Sequence, residues 1–368
     1  MLFLTRYFGV TGSDADRDPV REKAEIEEII EKSLLLQAKA AAQQHRAIGR
    51  GTHVKGVCAR AQFEVLDVIG RDDGLRMRLA KGMFAEPGVY PATVRFGNAD
   101  PRKNSDFKAD VRSLSFSVDL AQGTTASEAR AGRQDFSLQN TKTLPINDAS
   151  AFLALSKLLT ASNPAAAMWS LPFKDKLRVL RTLTLVQPQM HQTIKPYQQL
   201  RYESNVPFRH GPIDVVKYSA TPSPNNHANP LERKNPNGLQ DELIRHVQED
   251  SKMSSFDFGV QLLDTGRMTY WGKRRDANFW IENASIEWNE ADAPFHTIAR
   301  LTLLPKSHLQ PDAAEAVYFD VTGNSTSDST PLGSINRARW PSEVASRKAR
   351  MRGKGEVTTE TNTSASAA

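Results

Sequence analysis

The chain has 368 residues, 39% hydrophobic and 24% charged, enough apolar material for one large domain or two and too much for a wholly disordered chain. The formal net charge is +6, but 48 basic residues are interspersed with 42 acidic ones. No basic stripe with interleaved aromatics occurs, which argues against a nucleic-acid partner and leaves anionic small ligands open. The one cysteine, Cys58, excludes a disulfide framework and a cysteine-based zinc cluster. No apolar run reaches the ~18 residues of an integral membrane segment, and Thr5-Arg6 interrupts the opening Met1-Leu2-Phe3-Leu4 before a signal-peptide core can form. A reducing, cytoplasmic setting is expected.

Residues 1–18 read as an irregular arm. The spacing predicts one helix over 19–46, with Pro19 at its start, Glu22, Glu25, Glu27 and Glu28 in its first turns, and an apolar stripe at Ile26, Ile29, Ile30 and Leu34 to Leu36. Gly49 and Gly51 stop it. Arm and helix form a first segment, 1–48.

Beyond it the period changes to two. Gln62 to Val68 alternates as a half-buried strand does, and so do 92–96, 113–118, 215–219, 256–262 and 297–303. Turn signals such as Asp72-Asp73-Gly74 and Glu86-Pro87-Gly88 separate some of them. Residues 148–160, 164–184, 238–250 and 341–352 read as helices. Strands, helices and strands again predict an α+β fold, with the strands in one closed or nearly closed antiparallel sheet flanked by helices. That domain is expected to span 49–352. Residues 353–368, rich in Gly, Lys, Thr, Ser and Ala, read as a disordered tail.

Of the eight histidines, His45 ends a helix and His227 lies in a Pro/Asn-rich loop. His53 differs, standing in Arg50-Gly51-Thr52-His53-Val54-Lys55-Gly56 between the first helix and the first strand. Taken alone it reads as a turn residue. The segment, followed by Phe63-Glu64-Val65, resembles the distal-histidine segment of haem catalases. The resemblance continues in order. Thr93-Val94-Arg95-Phe96 resembles the family's Val-Arg-Phe strand, and Asp110-Val111-Arg112-Ser113-Leu114-Ser115-Phe116 its Asp-Pro-Arg-Gly-Phe-Ala segment. Asp135 to Thr141 resembles the stretch with the distal asparagine. Pro207-Phe208-Arg209-His210-Gly211, and Ile281-Glu282-Asn283-Ala284 with Pro294 to Arg300, look like the short catalase-related branch. Together these cover roughly residues 50–350.

The resemblance implies a catalase-like antiparallel β-barrel core with flanking helices, binding haem b. It implies His53 as the base above the iron, with Arg50, Arg95 and Arg350 on the haem propionates. Splitting an O–O bond needs a base that moves a proton from one oxygen to the other, and imidazole suits this near neutral pH. For the amide that holds the peroxide, gapless spacing gives Gln139, while a one-residue slip gives Asn140, which is preferred as the shorter amide. Thr52 stands where true catalases have valine and resembles the allene oxide synthase branch, which acts on fatty-acid hydroperoxides.

On the proximal side the family's arginine falls on Arg339, but its iron-binding tyrosine falls on Glu343. Either Glu343 binds iron as a weaker carboxylate ligand, or Pro341-Ser342-Glu343 is merely a helix start. Tyr318 is a less suitable substitute. The leading expectation is therefore a haem-dependent catalase- or peroxidase-like enzyme acting on hydrogen peroxide or lipid hydroperoxides. The alternative is a catalase-fold ligand-binding protein without haem or redox activity. A third reading makes the long first helix a homodimer contact.

Overall fold

The computed structural model describes residues 18–68, 72–120, 132–249 and 252–353. The expected arm and tail lie outside the described residues, apart from Asp18 and Gly353.

The first helix, α1 (Pro19–Gln43), begins because the Asp18 carboxylate accepts from the N–H groups of Val20 and Arg21 while Pro19 takes the first helical position. Among the described residues, eleven strands follow in chain order. They are β1 (Gly56–Val65), β2 (Gly88–Asn98), β3 (Arg112–Asp119), β4 (Arg133–Gln139), β5 (Tyr202–Glu203), β6 (Phe208–His210), β7 (Asp214–Pro222), β8 (Ser254–Leu262), β9 (Thr269–Tyr270), β10 (Lys273–Arg274) and β11 (Phe295–His308). Interleaved are α2 (Asp73–Leu79), α3 (Ala149–Thr160), α4 (Pro164–Ser170), α5 (Phe173–Met190), α6 (Gly238–Ile244), α7 (Ala277–Glu282), α8 (Pro311–Ala316) and α9 (Ser334–Gly353).

Eight strands close into an antiparallel barrel in the order β1-β2-β3-β4-β5-β7-β8-β11, with β11 pairing back onto β1. β6 extends the sheet beside β7. The barrel interior is aromatic. Phe63, Phe116, Phe136 and Phe258 pack there, with Phe116 and Phe136 stacked at 4.8 Å and Phe63 edge-on to Phe258 at 5.3 Å. Phe63 and Val65 are buried on one face of β1, while Glu64 lies on the other.

Four expectations need correction. β4 was not expected as a strand, although its inward positions Phe136 and Leu138 alternate with Ser137 and Gln139. The helix expected over 164–184 is two, because Leu171-Pro172 breaks it into α4 and α5. The one expected over 238–250 gives way after Ile244 to a π-helical turn, Arg245–Glu249. The helix expected over 341–352 starts seven residues earlier, at Ser334, and carries Pro341 in its interior. Its first turn is held by a distant side chain: Glu282 accepts from the Ser334 N–H at 2.8 Å and from the Arg337 guanidinium at 3.0 and 3.1 Å.

α1, α3 and α9 pack together on one side of the barrel. Ile29 of α1 packs with Ala149 and Leu153 of α3 and Ala338 of α9, and Arg337 pairs with Glu22 at 2.8 Å. This part of the α1 stripe is satisfied within the chain. Among the described residues no helix is long and apolar enough to cross a membrane.

Candidate functional site

Between the outer face of the barrel and α1, α3 and α9 lies a cavity of about 720 Å³. Its barrel wall follows from strand register. Arg95, Ser115 and Ser137 are direct partners across β2, β3 and β4, all on the face opposite the interior phenylalanines. Ser115 donates to Ser137 at 3.2 Å. The helical wall supplies apolar side chains, Leu36, Phe152 and Ile335 among them, between polar and charged ones.

His53 lines this cavity three residues before β1. Its backbone is left-handed, φ 52°, and its N–H donates to the Ala99 carbonyl at 3.3 Å. The segment is anchored just beyond it. The Lys55 ammonium pairs at 2.8 Å with Asp106, a fully buried carboxylate that also accepts from Asn98 and from the Leu239 N–H of α6. Lys55 is thus a structural part of the His53 pattern. Burial pushes the His53 imidazole down to about 3, with Arg95, Arg339 and Arg50 adding repulsion and the Asn98 backbone opposing. The ring is therefore neutral at neutral pH, the form that accepts a proton. Its Nδ1 is buried without a hydrogen-bond partner among the described residues.

Arg50, Arg95 and Arg350 come from the connection before β1, from β2 and from the last turns of α9, and all three line the cavity. Arg95 fits because the cross-strand neighbours Gly56 and Gly97 lack side chains: a Cβ would lie 2.8 Å from its guanidinium at Gly56 and 3.0 Å at Gly97. Arg50 reaches over the end of α8 and donates to the carbonyls of Val317 at 2.5 Å and Glu315 at 3.2 Å. Its Nε is buried without a hydrogen bond among the described residues. One carboxylate, Glu315, serves both Arg50, at 4.0 Å, and Arg350, at 3.8 Å. Burial first, then Arg95 and Arg350, push Arg50 down to about 9; burial likewise lowers Arg95. Such mutual suppression marks a cluster with more positive charge than its own carboxylate neutralises, a setting that favours an anion.

The remaining expected residues divide. Arg339 and Glu343 both line the cavity and pair with each other at 2.6 Å across one helical turn. Glu343 stands inside α9, not at a helix start, which corrects the bland reading of it. Thr52 is an exposed residue of the same lining. Asn140 is not part of the lining. Its Oδ1 accepts from the Arg112 N–H at 2.7 Å and its Nδ2 donates to Gln192 at 3.1 Å, so it ties β3 to the loop after α5. Gln139 lines the cavity in its place. Tyr318 also lines it, with the guanidiniums of Arg133 and Arg347 at 4.8 and 4.6 Å from its ring centre. Among the described residues no group of three His, Cys, Asp or Glu side chains is placed to hold a metal ion.

Sequence reasoning missed Ser115, Ser137 and Asn205. The serines carried a signal, since they alternate with Phe116, Phe136 and Leu138 and so face away from the interior. Asn205, buried at φ 59° with its amide donating to Thr141, carried none: Ser204-Asn205-Val206-Pro207 reads as an ordinary turn.

With this geometry in hand, the chain resembles solved catalases. A fungal catalase superposes with a TM-score of 0.61 at 14% identity, covering 88% of this chain and 63% of that one. Catalase A from Saccharomyces cerevisiae gives 0.60 at 15%, covering 85% and 63%. A bacterial catalase gives 0.53 at 13%, covering 86% and 60%. The fold is therefore catalase-like α+β, and the chain spans less than two thirds of these catalases' length. No protein-family model and no curated protein sequence matches the chain.

Proposed function

We propose that this catalase-fold protein binds haem b in the described cavity and consumes hydrogen peroxide or an organic hydroperoxide, with His53 as the base. The observation that carries this reading is the meeting of Arg50, Arg95 and Arg350, remote in sequence, on one cavity that His53 also lines. Haem b presents a flat apolar ring and two carboxylates. The arginine cluster suits the carboxylates through charge-assisted bonds, and the wall of Leu36, Phe152 and Ile335 suits the ring. Bound there, haem would supply an iron centre able to cleave a peroxide O–O bond.

The other work belongs to the chain. Neutral His53 takes the proton from one peroxide oxygen and returns it to the other. Gln139 is the amide proposed to hold the peroxide, in place of Asn140, and Thr52 stands beside the base. Arg339 and Glu343 form the proximal pair of the proposal, with Glu343 as the residue facing iron. A carboxylate already hydrogen-bonded to Arg339 donates less than tyrosinate, so weak turnover and ready loss of haem are expected.

The test is a haem titration of the purified chain followed by its absorption spectrum. Stoichiometric binding is expected, weakened by Arg95→Leu and by Arg350→Leu. Glu343→Tyr should tighten binding and raise peroxide consumption, while Glu343→Ala should shift the iron spectrum. An unchanged spectrum for Glu343→Ala removes Glu343 as the ligand. No binding by the wild type at micromolar concentration removes the haem reading. The short Arg339–Glu343 pair favours a second reading, in which those groups satisfy each other and the cavity takes an apolar carboxylate with no iron chemistry. Tight binding of such a carboxylate by a chain that fails to bind haem would establish it.

A further inference from the structure

The helical side of the molecule carries a feature unrelated to the arginine cluster. At the junction of α4 and α5, Trp169 is 81% exposed and Phe173 is 76% exposed. Large aromatics so far out of the core are unusual, and here they neighbour each other in sequence around Leu171-Pro172, whose Leu171 is anchored inside with Ala154 and Val179. Along the sequence, residues 149–195 hold six basic side chains, Lys157, Lys174, Lys176, Arg178, Arg181 and Lys195, against one acid, Asp175, and Lys157 is neutralised by Glu28 of α1 at 2.9 Å. Arg178 and Arg181 are buried, and Asp175 is taken by Arg178 at 2.7 Å. The outward charge beside the aromatics is therefore lysine: Lys174 is exposed, and the Lys176 ammonium lies over the Trp169 ring at 5.6 Å.

The patch continues to the cavity. Leu158 packs with Met168, the neighbour of Trp169, while Leu159, half exposed, belongs to the cavity lining. The Leu159 carbonyl accepts from Lys39 of α1 at 3.4 Å, and Lys39 lines the cavity too.

We infer that this face docks on the surface of an anionic lipid bilayer, with Trp169 and Phe173 entering the headgroup region and Lys174, Lys176 and Lys39 meeting the lipid phosphates. Tryptophan and phenylalanine flanked by lysine suit the interface between hydrocarbon and water, where the ring is buried and the ammonium stays solvated. Charge decides against a second copy of the chain. A two-fold contact would set the patch against itself and bring lysine to lysine. An anionic surface supplies the missing counter-charge. Docked this way, the cavity edge at Lys39 and Leu159 would lie beside the bilayer. On the reading above, this would admit hydroperoxides of membrane lipids; the docking itself does not depend on haem.

The test uses the full chain and sedimentation with vesicles of phosphatidylcholine, with and without phosphatidylglycerol. Binding is expected to the anionic vesicles only, declining with salt. It should weaken roughly tenfold or more in Lys174→Gln/Lys176→Gln, since each lysine near an anionic surface contributes a several-fold factor, and be lost in Trp169→Ala/Phe173→Ala. Trp169→Phe should keep binding but lose the blue shift in tryptophan emission that vesicles induce. Circular dichroism confirms that each variant is folded. Absence of wild-type binding overturns the inference. So does wild-type affinity in the Trp169→Ala/Phe173→Ala variant, or a dimer that this variant dissociates without any lipid binding.

Discussion

Phe136 and Gln139 stand three residues apart on β4 and face opposite sides of one sheet. Inside the barrel, Phe136 is 1% exposed among Phe63, Phe116, Tyr218 and Phe258, with no charge in that aromatic cluster. Outside, Gln139 shares its face with Ser115, Ser137 and Arg95, in a cavity under the helices where Arg50 and Arg350 lie close to Arg95. The inner face stabilises the fold through close packing. The outer face keeps buried guanidiniums whose charges suppress one another, an arrangement that costs stability and becomes favourable when an anion enters. The same strands carry both, because alternation separates structure from chemistry at every second residue.

The sharpest test of this contrast is Phe136→Ala. It should lower unfolding free energy by about 3–5 kcal/mol, since it empties a closed aromatic core. Gln139→Ala should cost less than about 1 kcal/mol, because the side chain borders an open cavity. Urea unfolding of both variants checks this, and comparable losses would dissolve the distinction between the two faces.

A second test of the outer face uses pH. The folded His53 titrates near 3, below the ordinary imidazole value. Between about 6.5 and 3 the unfolded chain therefore binds the proton that the folded chain refuses, and stability falls as pH falls through that window. His53→Gln should flatten that part of the stability profile. An unchanged profile would mean that His53 is protonated normally in the folded chain and is not a neutral base.

Removing one guanidinium separates the faces again. Arg350→Met should change the stability of the ligand-free chain by less than about 1 kcal/mol, or raise it, because it relieves repulsion with Arg50. The same change should weaken haem binding about tenfold or more, the effect of losing one charge-assisted contact. A large loss of ligand-free stability would show that the cluster is structural. The smallest effect belongs to Glu343→Ala. The pair with Arg339 is a partly exposed i,i+4 contact, so its loss should cost about 0.3–0.5 kcal/mol in thermal or urea unfolding.

Much of the barrel was legible because period-two alternation survives any tertiary arrangement. The segments around Phe63, Phe96, Phe116 and Phe258 are strands for that reason, and their aromatic residues point inward. The choice between Gln139 and Asn140 followed from the same alternation, yet it needed β4 to be known as a strand ending at Gln139. Only then does Gln139 fall on the outer face with Ser137, while Asn140 turns to bond Arg112. The extent of α9 was illegible for a different reason. Pro341 reads as a helix start, and nothing near it in sequence announces that Glu282, more than fifty residues earlier, holds Ser334 and Arg337 in a helical turn.

By itself, the sequence determined which segments alternate, where helices could begin, and that His53 lies between a helix and a strand with an arginine three residues before it. These are local properties, set by side-chain period, backbone preference and spacing. Tertiary structure alone decided that Arg50, Arg95 and Arg350 share a cavity, that Gly56 and Gly97 open a slot for Arg95, and that Asn205 joins the lining. It also left Trp169 and Phe173 outside the core. Burial and charge coupling depend on distances across the fold, and only barrel closure with α1, α3 and α9 packed against it sets those distances.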